Sequence, residues 1–166
     1  MLDVDAAPVL KIQDAINPQD VYENTSGEGI KFGLEDRFHV TLLYGLHEEV
    51  TVDEVKGKLK GFTFGSITLY NLSKFEKDDY DVLKFDIKYP TKGGAFLSKA
   101  NKALSELPNT NDYPDYKAHL TIGYLKKGAA DKYINKLKGF EYQTIPTGIT
   151  YSAPSGEETK IEIKTK

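Results

Sequence analysis

The sequence contains no cysteine and no tryptophan. Without thiols there can be no disulfide framework, no zinc knuckle and no cysteine nucleophile. No stretch approaches the ~20 apolar residues that a membrane-spanning helix requires. The opening segment MLDVDAAPVL lacks the basic flank and apolar run of a signal peptide, so the expectation is a cytoplasmic protein without membrane contact. Excess charge of one sign is also missing. The chain has 22 Lys+Arg against 25 Asp+Glu, net −3, which excludes coating of long nucleic acid by bulk positive charge but leaves room for a phosphate-bearing small ligand in a locally basic cleft. Histidine is scarce as well: three in 166 residues.

Two of those three stand in nearly identical segments. His39-Val40-Thr41-Leu42-Leu43-Tyr44 is echoed eighty residues on by His119-Leu120-Thr121-Ile122-Gly123-Tyr124. The likeness extends further. Each segment precedes a predicted helix, ending Lys58-Leu59-Lys60-Gly61-Phe62 in one case and Lys136-Leu137-Lys138-Gly139-Phe140 in the other. Ile67–Tyr70 then matches Ile149–Tyr151, and Phe85–Lys88 matches Ile161–Lys164. A strand–helix–strand–strand order written twice indicates a duplicated unit. The expected architecture is α+β: a single two-lobed domain over 1–166, with lobes of about 1–88 and 89–166. Each lobe is a largely antiparallel sheet with outer helices, and the two face a central cleft.

Local signals fill in the elements. Val9–Ile16 reads as a short strand and Pro18 as a helix start; Asn24–Gly33 reads as a loop. Phe38–Tyr44 and Lys117–Tyr124 read as strands. Thr51 and Glu54 form a capping box opening a helix toward Lys60. Phe62–Leu72 and Val82–Lys88 read as strands around a turn at Asp78-Asp79. Gly93–Leu107 has helical periodicity, Asn109–Pro114 is turn-rich, Asp131–Leu137 is a short helix, and Gln143–Tyr151 and Lys160–Lys164 are strands.

In a strand, residues i and i+2 share a face. His39 and Thr41 therefore project together, as do His119 and Thr121, while Val40, Leu42, Leu120 and Ile122 face a core. Arg37 and Lys117, at i−2 from each histidine, extend the pattern. Brought across a cleft, this set offers two imidazoles, two hydroxyls and two cations, which suits a phosphodiester. Imidazole exchanges protons near neutrality. One ring removes the proton from an attacking hydroxyl, and the other protonates the leaving oxygen. The threonines donate to non-bridging phosphate oxygens. With a ribose 2′-hydroxyl as attacker no metal or other cofactor is required, and no acidic cluster at ligand spacing accompanies the histidines. Tyr44 and Tyr124, at i+5, fall on the opposite strand face and predict core packing. His47 reads as a surface loop residue. Tyr113, Tyr116 and Tyr151 are candidates for stacking on a base.

Paired His-x-Thr strands in a duplicated α+β chain resemble the two-histidine phosphoesterase superfamily, whose members act on 2′,3′-cyclic or 2′-5′ linkages. The resemblance covers nearly the whole chain. It implies that His39 and His119 are the acid–base pair and that Thr41 and Thr121 contact phosphate. The wording FHVTLLYGLH and YKAHLTIGY is most similar to the bacteriophage anti-CBASS phosphodiesterases, which cut cyclic di- and trinucleotide immune signals. That likeness implies a cyclic oligonucleotide as the substrate partner. Two alternatives stand beside it: an RNA-processing 2′,3′-cyclic or 2′-5′ phosphodiesterase, and a protein that sequesters a cyclic nucleotide without cutting it.

Overall fold

A computed structural model describes residues 1–23, 32–89, 96–113 and 115–165. Most of the predicted Asn24–Gly33 loop, the first turn of the predicted Gly93–Leu107 helix and Pro114 lie outside those residues. In chain order the elements are β1 (Leu2–Val4), α1 (Ala7–Asp14), a 3-10 turn (Pro18–Asp20), β2 (His39–Val40), α2 (Val52–Leu59), β3 (Thr63–Phe64), β4 (Ile67–Glu76) and β5 (Tyr80–Lys88). They continue with α3 (Phe96–Leu104), β6 (His119–Lys126), α4 (Ala130–Lys136), β7 (Tyr142–Thr144), β8 (Pro146–Ser152), β9 (Glu158–Ile161) and β10 (Lys164–Thr165).

The α+β expectation holds. Eight strands form one sheet in the order β7-β4-β5-β6-β2-β1-β8-β9, while β10 and β3 pair separately in parallel. Every neighbouring pair in the large sheet is antiparallel. The two histidine strands meet at its centre through Val40↔Leu120, with four strands to each side. The capping box forms as read: the Thr51 hydroxyl accepts from the Glu54 amide, and the Glu54 carboxylate accepts from the Thr51 amide. One hydrophobic core lines one face of the sheet, taking in Val40, Leu83, Phe85, Leu120 and Ile122 from the strands, Leu42 from the segment after β2, and Val9, Val55, Leu97 and Tyr133 from the helices. Among the described residues, no helix is long and apolar enough to cross a membrane.

Three expectations give way. Val9–Ile16 is not a strand: Ala7–Asp14 is helical, with Pro8 in its first turn and Val9 and Ile12 buried at i and i+3. The Phe38–Tyr44 strand shortens to His39–Val40. The repeat also maps differently onto the sheet. β4 and β8 each lie third from the central boundary, as the Ile67–Tyr70 and Ile149–Tyr151 match requires. The counterpart of β5 in second place is β1, however, whereas β9 is the outer edge. The halves of the sheet are thus not residues 1–88 and 89–166, since β4 and β5 sit with β6 and β7, and β1 and β2 sit with β8 and β9.

A close approach fixes how the chain enters the centre. Beyond the short β2, residues 33–35 run along the same edge of β6. The Tyr124 amide donates to the Gly33 carbonyl at 2.8 Å and the Glu35 amide to the Ile122 carbonyl at 3.0 Å. Gln13 on α1 ties the two together, its side-chain amide donating to both the Glu35 and Ile122 carbonyls at 2.9 Å. A β-carbon on Gly123 would stand 2.7 Å from Leu34 Cδ2, 3.0 Å from Leu34 Cα and 3.2 Å from the Gly33 oxygen. This explains why the second copy carries glycine where the first carries Leu43. Gly123→Ala is expected to destabilise the fold by about 1–3 kcal/mol, the usual range for overpacking, measured by urea unfolding.

Candidate active site

Antiparallel pairing at Val40↔Leu120, continued one residue each way, sets His39 across from Thr121 and Thr41 across from His119. Directly opposed residues share a face. The two histidines are then diagonal neighbours, about 7–8 Å apart at the backbone. Both are half-buried on the face away from the core.

The rings are anchored in the same way. His39 Nδ1 lies 3.2 Å from the carbonyl oxygen of Arg37, and His119 Nδ1 lies 2.9 Å from that of Lys117. A carbonyl can only accept, so each Nδ1 carries the proton and donates it, leaving Nε2 as the free lone pair. The i−2 residues therefore serve the histidines through their backbone. The Arg37 guanidinium is held by the Glu158 carboxylate at 3.1 and 3.2 Å, and Lys117 is exposed. The hydroxyls of Thr41 and Thr121 have no hydrogen-bond partner among the described residues. Beside His39 opens a pocket of about 390 Å³, lined by Phe32, Glu35, Asp36, Arg37 and Glu158 among others.

The neighbouring strands add groups that the motif alone did not reveal. Asp3 on β1 stands opposite His39, and Asp86 on β5 stands opposite His119. Each carboxylate is held by a lysine and a neutral donor. Asp3 Oδ2 accepts from the Thr150 hydroxyl at 2.7 Å and Lys160 at 3.2 Å. Asp86 accepts from Lys84 and from the Asn71 amide, both at 2.6 Å. Asn71 takes a left-handed φ of 50°, at the irregularity in β4 between Tyr70 and Ser73. Lys84 itself is across from Thr121, and its ammonium is 4.6 Å from the centroid of Phe75. The Phe75 ring meets His119 edge-on at 5.0 Å. The alternation of VLKFDIK does put Lys84 and Asp86 on the non-core face. Which strands would lie beside the histidines was not readable.

Several sequence candidates move. Tyr151 is 7% exposed and donates its hydroxyl to the Val50 carbonyl at 3.0 Å, so it is a core residue and not a stacking surface. Tyr116 packs against the core and donates to the Thr41 carbonyl at 2.8 Å, bracing the first motif from behind. Tyr113 is 69% exposed. Tyr44, read as core, is 69% exposed because the strand ends before it. Tyr124, also read as core, lies on the histidine face. A bulge matches Leu83 with Gly123 but Lys84 with Thr121, and the extra residue in β6 reverses the alternation beyond it. His47 is a partly exposed loop residue with Nδ1 3.4 Å from Glu49.

No family model and no curated protein sequence matches the chain. Solved structures do. Usb1 from Kluyveromyces marxianus superposes with a TM-score of 0.55 at 10% identity, over 98% of this chain and 95% of that one. The chain shares its α+β fold with that protein. At that identity the likeness concerns the fold alone.

Burial pushes the proton affinity of both imidazoles below the ordinary histidine value, against a smaller upward pull from the Arg37 and Lys117 carbonyl bonds. Both rings therefore rest neutral near pH 7. Folded pKa values below the unfolded ones mean that the unfolded chain binds more protons as the pH falls, so stability declines on that side. Between about pH 7 and 5, around the unfolded histidine pKa of about 6.5, unfolding free energy should fall with acidification. The double variant His39→Gln/His119→Gln should flatten that slope in denaturant titrations run at each pH.

Proposed function

We propose that this chain is a phosphodiesterase in which His39 and His119 form the acid–base pair and Thr41 and Thr121 bind the phosphate. The observation that carries this reading is the matched anchoring of both imidazoles. Each is held through Nδ1 by the carbonyl two residues before it, which leaves Nε2 without that proton, and the Val40↔Leu120 pairing brings the two segments side by side. A packing or surface histidine has no need of a fixed tautomer, and a duplicated one still less.

The substrate is a 3′-5′ linkage of a cyclic di- or trinucleotide, the class to which the wording around both motifs points. One neutral imidazole takes the proton of the ribose 2′-hydroxyl as that oxygen attacks the adjacent phosphorus. The other imidazole, which takes up a proton when the anionic phosphate sits beside it, gives that proton to the departing 5′-oxygen. The P–O5′ bond breaks, the ring opens and a 2′,3′-cyclic phosphate forms. The roles then reverse: water adds to phosphorus, the 2′-oxygen leaves with a proton, and a 3′-phosphate remains. The threonine hydroxyls donate to the non-bridging oxygens as negative charge builds on them. Opening such rings would remove a cyclic oligonucleotide immune signal, consistent with the phage-type likeness of the motifs.

The test is incubation with cyclic dinucleotides, cyclic trinucleotides and 2′,3′-cyclic mononucleotides in excess chelator, with products separated by chromatography. Ring opening of the 3′-5′ cyclic species is expected. His39→Ala and His119→Ala should each lower kcat by about 10²–10⁴-fold while the circular dichroism spectrum is unchanged. Binding without product would establish a sequestering protein, and turnover restricted to 2′,3′-cyclic mononucleotides would establish an RNA-end enzyme.

A further inference from the structure

We propose that Lys84 carries the positive charge of the site and binds a non-bridging oxygen of the scissile phosphate, a catalytic role that rests on the phosphodiester reading above and that the His-x-Thr motifs do not themselves supply. The two cations suggested by the motifs do not fill it, because Arg37 is held by Glu158 and Lys117 is exposed. Lys84 stands on β5 directly across from Thr121, which sets the two β-carbons about 4.5–5.5 Å apart. His119 is its diagonal neighbour and has Asp86 directly across from it. One aromatic ring joins the two groups: the Lys84 ammonium is 4.6 Å from the centroid of Phe75, and the centroid of His119 is 5.0 Å from it.

The Lys84–Asp86 pair is closed in charge but not in hydrogen bonds. The lysine side chain is only 10% exposed, and an ammonium taken out of water needs acceptors for its three N–H donors. Among the described residues one donor is matched, by Asp86 Oδ1 at 2.6 Å. Phe75 adds a ring face. Ser73, directly across from Lys84 on β4, adds no acceptor, since its buried hydroxyl has no hydrogen-bond partner. Asp86 does not depend on the lysine alone, because Asn71 donates to its other oxygen at 2.6 Å. The carboxylate is thereby fixed, and it holds the lysine beside Thr121 with donors to spare. A phosphate oxygen bound by the Thr121 hydroxyl is the acceptor that completes the set.

The other half of the sheet places its lysine differently. Asp3, the carboxylate opposite His39, takes its ammonium from Lys160 on β9, at the edge of the sheet. That lysine is 63% exposed and also donates to the Thr150 hydroxyl at 2.6 Å. Its charge is screened by water, and its donors are engaged on β8, two strands away from His39. Positive charge therefore reaches the phosphate from the Thr121 side. As negative charge grows on the non-bridging oxygens, an ammonium that is already desolvated acts on it without a water shell to shed.

The test separates contact with phosphate from simple neutralisation of Asp86. It measures turnover of the 3′-5′ cyclic di- and trinucleotides by chromatography, and binding of adenosine 3′-monophosphate, which bears the phosphate of the product, by equilibrium dialysis. Lys84→Met keeps an unbranched side chain but leaves Asp86 uncompensated, whereas Lys84→Met/Asp86→Asn removes both charges. In the double variant kcat/KM should fall and the Kd for adenosine 3′-monophosphate should rise, each by about 10–100-fold, the range for one hydrogen bond to a charged group. Its thermal melt should stay cooperative. Lys84 lowers and Asp86 raises the proton affinity of His119, which is otherwise faced by Phe75 and the Lys117 carbonyl. Lys84→Met should therefore move the His119 limb of the kcat/KM–pH profile to higher pH, and the double variant should bring it back without restoring the rate. Lys88→Met, which removes an ammonium paired with Glu141 farther along β5, should change neither. Parental kcat/KM and binding in the double variant would reduce Lys84 to a counter-ion of Asp86 and overturn its contact with phosphate, as would an unmoved His119 limb in Lys84→Met. Either result leaves the phosphodiester reading intact. A parent chain that neither opens any 3′-5′ cyclic species nor binds adenosine 3′-monophosphate overturns the phosphodiester reading itself.

Discussion

The structure turns on one short pairing, Val40 against Leu120, at the middle of an eight-stranded sheet. Both residues are fully buried, and their burial decides which way their neighbours point. With the apolar members of each motif committed to the core, period-two alternation leaves the histidines and threonines no choice but the open face. A slip of one residue would exchange the two sets, sending imidazoles into hydrocarbon and leucine into water. Register at this point is therefore held by the full transfer cost of the core, and the arrangement of the histidines and threonines inherits that rigidity.

Around the central pair, the sheet supplies what two residues of β2 cannot. Residues 33–35 continue the edge of β6 after β2 ends, and Gln13 fastens them from α1. Tyr116 holds the Thr41 backbone from behind. Charge on the open face is arranged in closed pairs: Arg37 with Glu158, Lys84 with Asp86, Lys160 with Asp3. A face carrying many charges thus presents few free ones near the imidazoles. Desolvation, and not a neighbouring ion, is the main influence on their protonation.

Much of this was legible in the residues. The doubled His-x-Thr wording gave the shared face, the capping box gave the start of α2, and the alternation of Val82–Lys88 gave β5. What escaped the sequence was whatever depends on partners distant along the chain. Val9 and Ile12 at i and i+3 suit a helix as well as a strand, and only the core decided between them. A three-residue β1 is too short to announce itself, so Asp3 went unnoticed beside His39. The bulge at Ile122–Gly123 shows no signal other than a glycine, yet it carried Tyr124 from the expected face to the other. Tyr151 looked like a ligand contact because its hydroxyl partner, the Val50 carbonyl, is 101 positions away.

The exchange of strands between the two copies has a consequence for how the chain must fold. β1 from the start of the chain lies between β2 and β8, and β5 from the first copy lies beside β6 of the second. Neither copy can complete its own sheet before the other has been synthesised. Contact order is correspondingly high, and a search dominated by such distant pairings is slow compared with that of a helical bundle of equal length. The duplication that supplied the two His-x-Thr segments has produced a single interleaved sheet, in which neither repeat forms a module of its own.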